Sequence, residues 1–426
     1  MLDINFIRQN PEKVKEACRK KQLDPKLVDK LLSADQKRRK LIKEVEELRE
    51  QRNLAAKKKN VKKGRQLKIK LKKIEPKLRK IKKEYRELLF WVPNIPADDS
   101  PVGKDGKDNV KVYRWGEPPK FDFPIKDHIE IGKELDLIDT EIGTKVGGYR
   151  GYYLKNEAVL IQLGLMWLGI QKMIKNGFKL FIPPTIIKEF ALIGGGFFPF
   201  GKEDIYQIGN PGKLASGETI GYKLFLAGTA EPSLLAYQSD KIFSEDELPL
   251  KMCGFSPCYR SEVGSYGKDT HGIYRLHEFM KVEQVVLCKN DVKESDKWLE
   301  KMLAMSKEIV EELELPYQVV DVCTGEMGAG KRKMYDIETW MPSRGGYWET
   351  HSASNLTDWQ SRRLNIKYRG KEGKINYVHA LNNTVIASPR ILISILECNQ
   401  QKDGSVLVPK VLQKYTGFKR ILTKDK

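Results

Sequence analysis

The chain runs to 426 residues, 40% hydrophobic and 31% charged, with 34 glycines and 20 prolines. That length and balance exclude a disulfide-stapled miniprotein, a fibrous repeat and a disordered chain, and leave room for two or three domains with a large core. Lysine plus arginine exceed aspartate plus glutamate by 77 to 57, and the net charge of +20 favours a polyanionic partner.

The opening, MLDINFIRQNPEKVKEA, has no basic segment followed by an apolar run, so no secretory signal is expected. The charge surplus is concentrated at this end. Residues 1–100 hold 31 basic and 15 acidic side chains, whereas the other 326 residues hold 46 and 42. A basic module therefore precedes a nearly neutral body. From Leu27, apolar positions recur in steps of four and three through Leu31, Ala34, Leu41, Val45, Leu48 and Ala55, with Arg38 and Arg52 also on the stripe. A second stripe runs Leu67, Leu71, Ile74, Leu78, Ile81, Tyr85 and Leu88. Two heptad helices follow, joined by a turn within Lys57–Arg65 around Asn60 and Gly64, so that the stripes zip into an antiparallel coiled-coil arm.

From Gln51 to Lys83 there are 16 basic residues and one acid, Glu75. Solvated helix faces mix signs, and a run this one-sided repels itself unless a polyanion neutralises it. It suits phosphate contacts along folded RNA or DNA. Pro76 predicts a kink or interruption near Lys72–Pro76, because proline lacks the N–H and crowds the preceding turn.

Val92–Asn109 carries three prolines and two glycines and reads as a linker, giving an N-terminal domain with linker over 1–105 and a body over 106–426. In the body, Leu160–Ile174 is apolar but short and broken by Gln162, Gln171 and Lys172, which suggests a core helix and no membrane span. Strand-like runs at Phe178–Ile182, Lys223–Ala227, Lys281–Leu287, Tyr317–Val322 and Val378–Leu381 are scattered among helices such as Val292–Leu313. This pattern, without GxGxxG or GxxxxGK[ST], predicts an α+β fold over a doubly wound one. The six cysteines form no CxxC pair and the five histidines stand at no zinc-ligand spacing, so reduced thiols, no zinc and a cytoplasmic setting are expected.

The most informative stretch is Cys258–Glu283. Arg260 and Glu262 share one face at period two, as do Arg275, His277, Phe279, Lys281 and Glu283, and a polar, glycine-rich loop lies between the two sets. That face offers cations for phosphates, a ring for a base and carboxylates for an amine. Taken alone, the stretch fits a surface strand pair with chance charges equally well.

The R-x-E, loop, R-x-x-x-F-x-x-x-E arrangement resembles motif 2 of the class II aminoacyl-tRNA synthetases. Gly177-Phe178 with Phe181 and Pro184 resembles motif 1, a dimer-interface element of that class, and Asn382–Leu396 resembles motif 3, with Arg390 at its arginine. Asn383 and Ser388-Pro389 depart from the usual small or glycine residues of that motif. Thr229-Ala230-Glu231 looks like the serine-binding loop of the seryl-tRNA synthetases, and the opening segment, the basic arm, NIPADDSPVG and SNLTDWQSRRLNIKY agree with the same family.

The resemblance implies a class II catalytic domain on an antiparallel sheet, and ATP-dependent attachment of L-serine to tRNA(Ser) through a seryl-adenylate, with release of pyrophosphate and AMP. It implies Arg260 and Arg390 as the catalytic arginines, with Arg260 on the α-phosphate and Arg390 stacked on adenine opposite Phe279. Arg275 would hold the γ-phosphate, and Ser261 and Glu262 complete the motif 2 contacts. In the ETHS segment, Glu349, Thr350, His351 and Ser352 would contact ATP, Glu349 and Ser352 with Mg²⁺. Thr229, Ala230, Glu231, Arg260, Glu283, Asn382 and Thr384 would hold serine, with Glu283 and Thr384 at the hydroxyl. Lys57, Lys58, Lys59, Lys62, Lys63 and Arg65 at the arm tip would bind tRNA, with tRNA(Sec) a second candidate for charging. The expected assembly is a homodimer with tRNA across both subunits. His128, His277, His351 and His379 are read as packing or hydrogen-bonding residues, since the chemistry needs no imidazole base. A ligase that charges a carrier protein and a non-catalytic RNA-binding relative are the alternatives, disfavoured respectively by the intact arm and by the joint presence of the ATP-site residues.

Overall fold

A computed structural model describes residues 1–210, 212–263 and 272–423. They divide into two compact units, Met1–Ile95 and Pro96–Lys426, which part inside the linker read from the sequence.

In the first unit, two short helices, Ile4–Gln9 and Pro11–Lys20, precede α1 (Lys26–Lys57) and α2 (Val61–Trp91). The stripes meet as predicted: Ala34 and Val45 are buried against Leu71, Ile74, Leu78 and Ile81, with Leu41, Leu48, Tyr85 and Leu88 packed beside them. Arg38 fits the seam by lying 4.3 Å over the Tyr85 ring while its Nη2 donates 2.7 Å to Asp35, so its charge is matched where an apolar knob is usual. Arg49 reaches Glu75 across the pair at 2.8 Å.

Two local expectations are corrected. The turn is only Lys58–Asn60, and Asn60 caps α2 by accepting from the Lys63 N–H at 3.0 Å. Gly64 lies inside the helix, its N–H bonded to the Asn60 carbonyl, because the cap already starts the helix at Val61. At Pro76 the helix is not interrupted. Pro76 is on the exposed face, where water can take the carbonyl that its missing N–H leaves without a partner, and the buried stripe carries the helix through.

The second unit is built on β1 (Val110–Trp115), α3 (His128–Glu134), α4 (Asn156–Lys175), β2 (Lys179–Phe181), α5 (Glu231–Tyr237), β3 (Leu250–Tyr259), β4 (Glu278–Cys288), α6 (Val292–Glu312), β5 (Tyr317–Asp321), β6 (Lys333–Met341), β7 (Gly346–Asn355), β8 (His379–Ala387) and α7 (Arg390–Cys398). These eight strands form the main sheet, in the order β1-β5-β6-β7-β8-β4-β3-β2, and shorter strands form smaller sheets beside it in the chain. Neighbours are antiparallel except at the edge, where β2 runs parallel to β3. Helices lie among the strands without regular alternation, the α+β architecture expected.

The core joins helix residues Ile161, Leu165, Met302, Ile309, Leu392 and Ile395 to sheet residues Val282, Val286, Ile337 and Val385. The core-helix reading of Leu160–Ile174 holds for one face of α4 only. By length and composition α4 could cross a membrane, yet half of it is buried in this fold, and Leu160, Leu163, Trp167 and Ile174 on its other face are exposed. His128 and His379 serve as hydrogen-bonding residues inside the fold. His128 Nδ1 lies 2.8 Å from Glu397 Oε1 and its Nε2 accepts from the Ile273 N–H, while His379 Nδ1 meets Ser295 Oγ at 3.0 Å.

Candidate active site

The motif 2 segments end on β3 and begin on β4, and their register brings the site together. Phe279 stands opposite Cys258, and Glu283 lies between Gly254 on one side and Thr384 on the other. Gly254 is needed for close approach, since a Cβ there would meet the Ala230 Cβ at 2.6 Å and push away the loop that leads into α5. Across the sheet, β6 and β7 pair Glu338 with Glu349 and Asp336 with Ser352, with a register shift after Ile337.

These strand ends and the start of α7 surround a cleft lined by Arg260, Glu262, Tyr274, Arg275, Phe279, Lys281, Glu349, Thr350, Thr384 and Arg390 among others. Arg260 lies 5.3 Å over the Phe279 ring and donates from Nε to the Gly228 carbonyl at 3.3 Å. Arg275 donates to Glu262 at 3.3 Å. Arg390 lies 4.4 Å over the Tyr274 ring, pairs with Glu349 Oε2 at 3.0 Å and donates to the Glu349 carbonyl at 3.2 Å. Enclosure by the walls works against the Glu349 charge, but Arg390 outweighs it and holds that carboxyl below its ordinary range. Asp336, buried behind Glu349, is pushed the other way, first by burial and then by the Glu349 charge.

Of the residues expected to hold serine, Thr229, Glu231, Glu283, Asn382 and Thr384 are all buried, and Thr384 lines the cleft. Glu231 Oε1 accepts from Gln360 Nε2 and Asn382 Nδ2, each at 2.6 Å. Burial, and then the neighbouring Glu283 charge, push the Glu231 carboxyl up to about 7. Lys281 Nζ sits 2.5 Å from Glu283 Oε2 and 3.1 Å from Thr229 Oγ1.

Three of the expected ATP contacts do not line the cleft. Ser261 Oγ donates to the Glu203 carbonyl at 2.6 Å, a bond that draws it outward. His351 is buried, with Nδ1 2.8 Å from Thr350 Oγ1 and burial lowering its ring to about 4. Ser352 stands beside Asp336 rather than on the lining. His277 also turns aside, its Nδ1 2.9 Å from the Arg260 carbonyl. Asn383, the motif 3 departure, points inward and donates to Gln284, Met302 and Ser306, so its role is to fasten β8 to β4 and α6.

Sequence reasoning missed two groups. Tyr274 carries Arg390 on its ring and donates from its hydroxyl to the Glu349 carbonyl at 3.0 Å, and nothing in the sequence marks it. Lys281 was signalled, because it shares the alternating face with Phe279 and Glu283.

The first 96 residues match the family model for the seryl-tRNA synthetase N-terminal domain, and residues 218–399 match that for the tRNA synthetase class II core domain (G, H, P, S and T). The serine–tRNA ligase of Deinococcus radiodurans is 43% identical, with 99% of each chain covered. That of Dictyoglomus turgidum is 41% identical over 100% of both chains. The chain belongs to the seryl-tRNA synthetase family. Among solved structures, the seryl-tRNA synthetase from Pyrococcus horikoshii complexed with ATP superposes with a TM-score of 0.89 at 38% identity, over 100% of both chains. The serine–tRNA ligase from Naegleria fowleri in complex with AMP follows at 0.87 and 32%, over 100% of this chain and 99% of that one. The activity is that of a serine–tRNA ligase, the ATP-dependent aminoacylation of tRNA(Ser), and the cleft has to accommodate that seryl-tRNA synthetase chemistry.

Proposed function

We propose that the cleft forms seryl-adenylate and then transfers serine to tRNA(Ser), with the residues above dividing the work by charge. The observation that carries this reading is one cleft lined by Arg260, Arg275, Arg390 and the Phe279 ring, whose lining residue Lys281 pairs with the buried Glu283. Cations suit a bent triphosphate, a ring suits the adenine face, and buried carboxylates suit an amine and a hydroxyl. A serine carboxylate oxygen attacks the α-phosphorus, forming the P–O bond of the mixed anhydride as the bond to the bridging oxygen breaks and pyrophosphate departs. Arg260 supports the added charge at the five-coordinate phosphorus, and Arg275 holds the γ-phosphate. In the second step a hydroxyl of the tRNA's terminal ribose attacks the seryl carbonyl, and AMP leaves with the electrons of the acyl–oxygen bond.

Magnesium fits the donors. Glu349 is a hard oxygen ligand on the cleft lining, Ser352 would join it only by turning from Asp336, and among the described residues no three His, Cys, Asp or Glu side chains converge as a complete cage. The ion would therefore share its shell with phosphate oxygens, which is how magnesium is usually held. Bound there, it would neutralise charge on the triphosphate. Lys57, Lys58, Lys59, Lys62, Lys63 and Arg65 supply phosphate contacts for tRNA(Ser), with tRNA(Sec) a second acceptor. The exposed Leu163, Trp167, Leu180 and Ile182 beside the motif 1 strand favour a homodimer through α4 and β2. A reaction that consumes ATP and charges tRNA suits a cytoplasmic setting.

Pyrophosphate exchange tests the assignment. Serine should drive it far better than threonine, alanine or glycine. Arg260→Ala should lower its kcat by about 10²–10³ with little change in the serine KM, because the guanidinium acts chiefly in the transition state. A change in KM alone contradicts the role given to Arg260.

A further inference from the structure

Lys281 lies on β4 between Phe279 and Glu283, on the face turned to the cleft, and is 6% exposed. Its Nζ stands 2.5 Å from Glu283 Oε2 and 3.1 Å from Thr229 Oγ1. Burial penalises a bare charge heavily, so an ammonium held this deep is defined by those partners. One nitrogen thus touches both Glu283, read above as the partner of the hydroxyl, and Thr229 of the loop read as serine-binding.

The surroundings leave Glu283 dependent on that contact. Glu231 faces it from α5 with a carboxyl that burial and then the Glu283 charge push up to about 7. Cys258 shares its sheet face on β3 and Cys253 lies on the opposite face, their thiols pushed up by burial to about 11 and about 12. His351 lies near the Lys281 charge from β7, and burial lowers its ring to about 4. One further acid, two thiols and an imidazole surround the pair, and the cation in contact with Glu283 is Lys281.

We propose that Lys281 is a specificity-determining residue, the resident counter-ion that keeps Glu283 an acceptor aimed at the substrate hydroxyl. The inference rests on the reading of Glu283 as the partner of that hydroxyl. A neutral carboxylic acid carries its own O–H donor and can turn it to a neighbour, whereas a carboxylate has only acceptor sites and requires a donor from the ligand. Serine supplies one. Alanine leaves the anion without it, and a site of this kind can discriminate by roughly 10⁴–10⁵ for that reason. The four-carbon stem lets the ammonium stay on one Glu283 oxygen while the other meets the hydroxyl.

The test compares serine- and alanine-dependent pyrophosphate exchange by the full enzyme with its Lys281→Met, Lys281→Arg, Glu283→Gln and Lys281→Met/Glu283→Gln variants. Lys281→Met should raise the serine KM, leave the ATP KM unchanged and lower the serine-to-alanine ratio of kcat/KM by about 10- to 100-fold. Lys281→Arg should restore part of the ratio. The double variant should discriminate no worse than Glu283→Gln alone, because both substitutions remove one device. If Lys281→Met does not fold, Lys281→Gln carries the same comparison with a polar, uncharged head. Equal loss of kcat with serine and alanine overturns the proposal and assigns the ammonium to the reacting phosphate. Independent, multiplying effects of the two substitutions overturn it as well. If Glu283→Gln alone leaves the ratio untouched, the serine-site reading falls and takes the proposal with it, whatever Lys281→Met does.

Discussion

Glu231 is a buried acid whose proton has to leave before it can face a substrate ammonium. Burial and Glu283 push its carboxyl up to about 7, while Gln360 and the Lys331 and Lys281 charges pull it down. In the empty protein that raised value is a stability term present below the ordinary carboxylate range and lost as pH rises through about 7. For binding the sign reverses, because a serine ammonium favours the ionised form. The serine KM should therefore fall by about tenfold per unit as pH rises toward 7 and level off above it. Calorimetry below pH 7 in buffers of different ionisation heat should register a proton released on binding. A serine KM flat from pH 6 to 8 contradicts the amine role of Glu231. Much of this residue-level chemistry is legible in the sequence. Period-two alternation puts Arg260 with Glu262, and Arg275 with Phe279 and Glu283, on shared faces, the motif resemblance gives them roles, and the structure gathers the first four at one cleft with Glu283 buried beside its lining residue Lys281. What alternation cannot see is the competition for each side chain, and the Glu203 carbonyl that captures Ser261 lies 58 residues away in the chain. Tyr274 is invisible for a related reason, since its partner Arg390 comes from 116 residues further on.

At the scale of elements, heptad spacing forecasts both long helices and their seam, because a repeat of apolar positions constrains a coiled pair strongly. Punctuation is forecast less well. Gly64 is absorbed by a helix that Asn60 starts earlier, and Pro76 leaves its helix unbroken because only an exposed hydrogen bond is missing. That bond has a measurable consequence. Replacing Pro76 by Ala restores the N–H and removes the ring clash, and should stabilise the arm by about 1–3 kcal/mol. Hydrogen exchange in the intact protein should slow at residues 72–80 in the variant. Unchanged or faster exchange there means that the proline is accommodated by a feature other than the solvated gap. In the body, hydrophobicity alone cannot distinguish the buried face of α4 from its open one. Met166 and Leu168 are buried whereas Leu163 and Trp167 are exposed, and all four are apolar.

For the whole molecule, the charge asymmetry read from the first hundred residues coincides with a separate unit, Met1–Ile95, and every residue assigned to ATP or serine lies in the other, Pro96–Lys426. Activation and tRNA capture are therefore separable. Each phosphate neutralised by lysine or arginine releases counterions, so the arm's contribution should fall steeply with salt while chemistry inside the cleft does not. The decisive measurement is serine-dependent pyrophosphate exchange and tRNA(Ser) charging, run in parallel across a salt series. It compares the intact enzyme, a form with Leu27–Leu88 replaced by a short Gly-Ser link, and a form with Lys57, Lys58, Lys59, Lys62, Lys63 and Arg65 changed to Ala. Exchange should be nearly equal in all three. Charging should collapse without the arm, weaken in the Ala form, and fall with salt more steeply in the intact enzyme than in the Ala form. Undiminished charging by the armless enzyme, with exchange intact, contradicts the account.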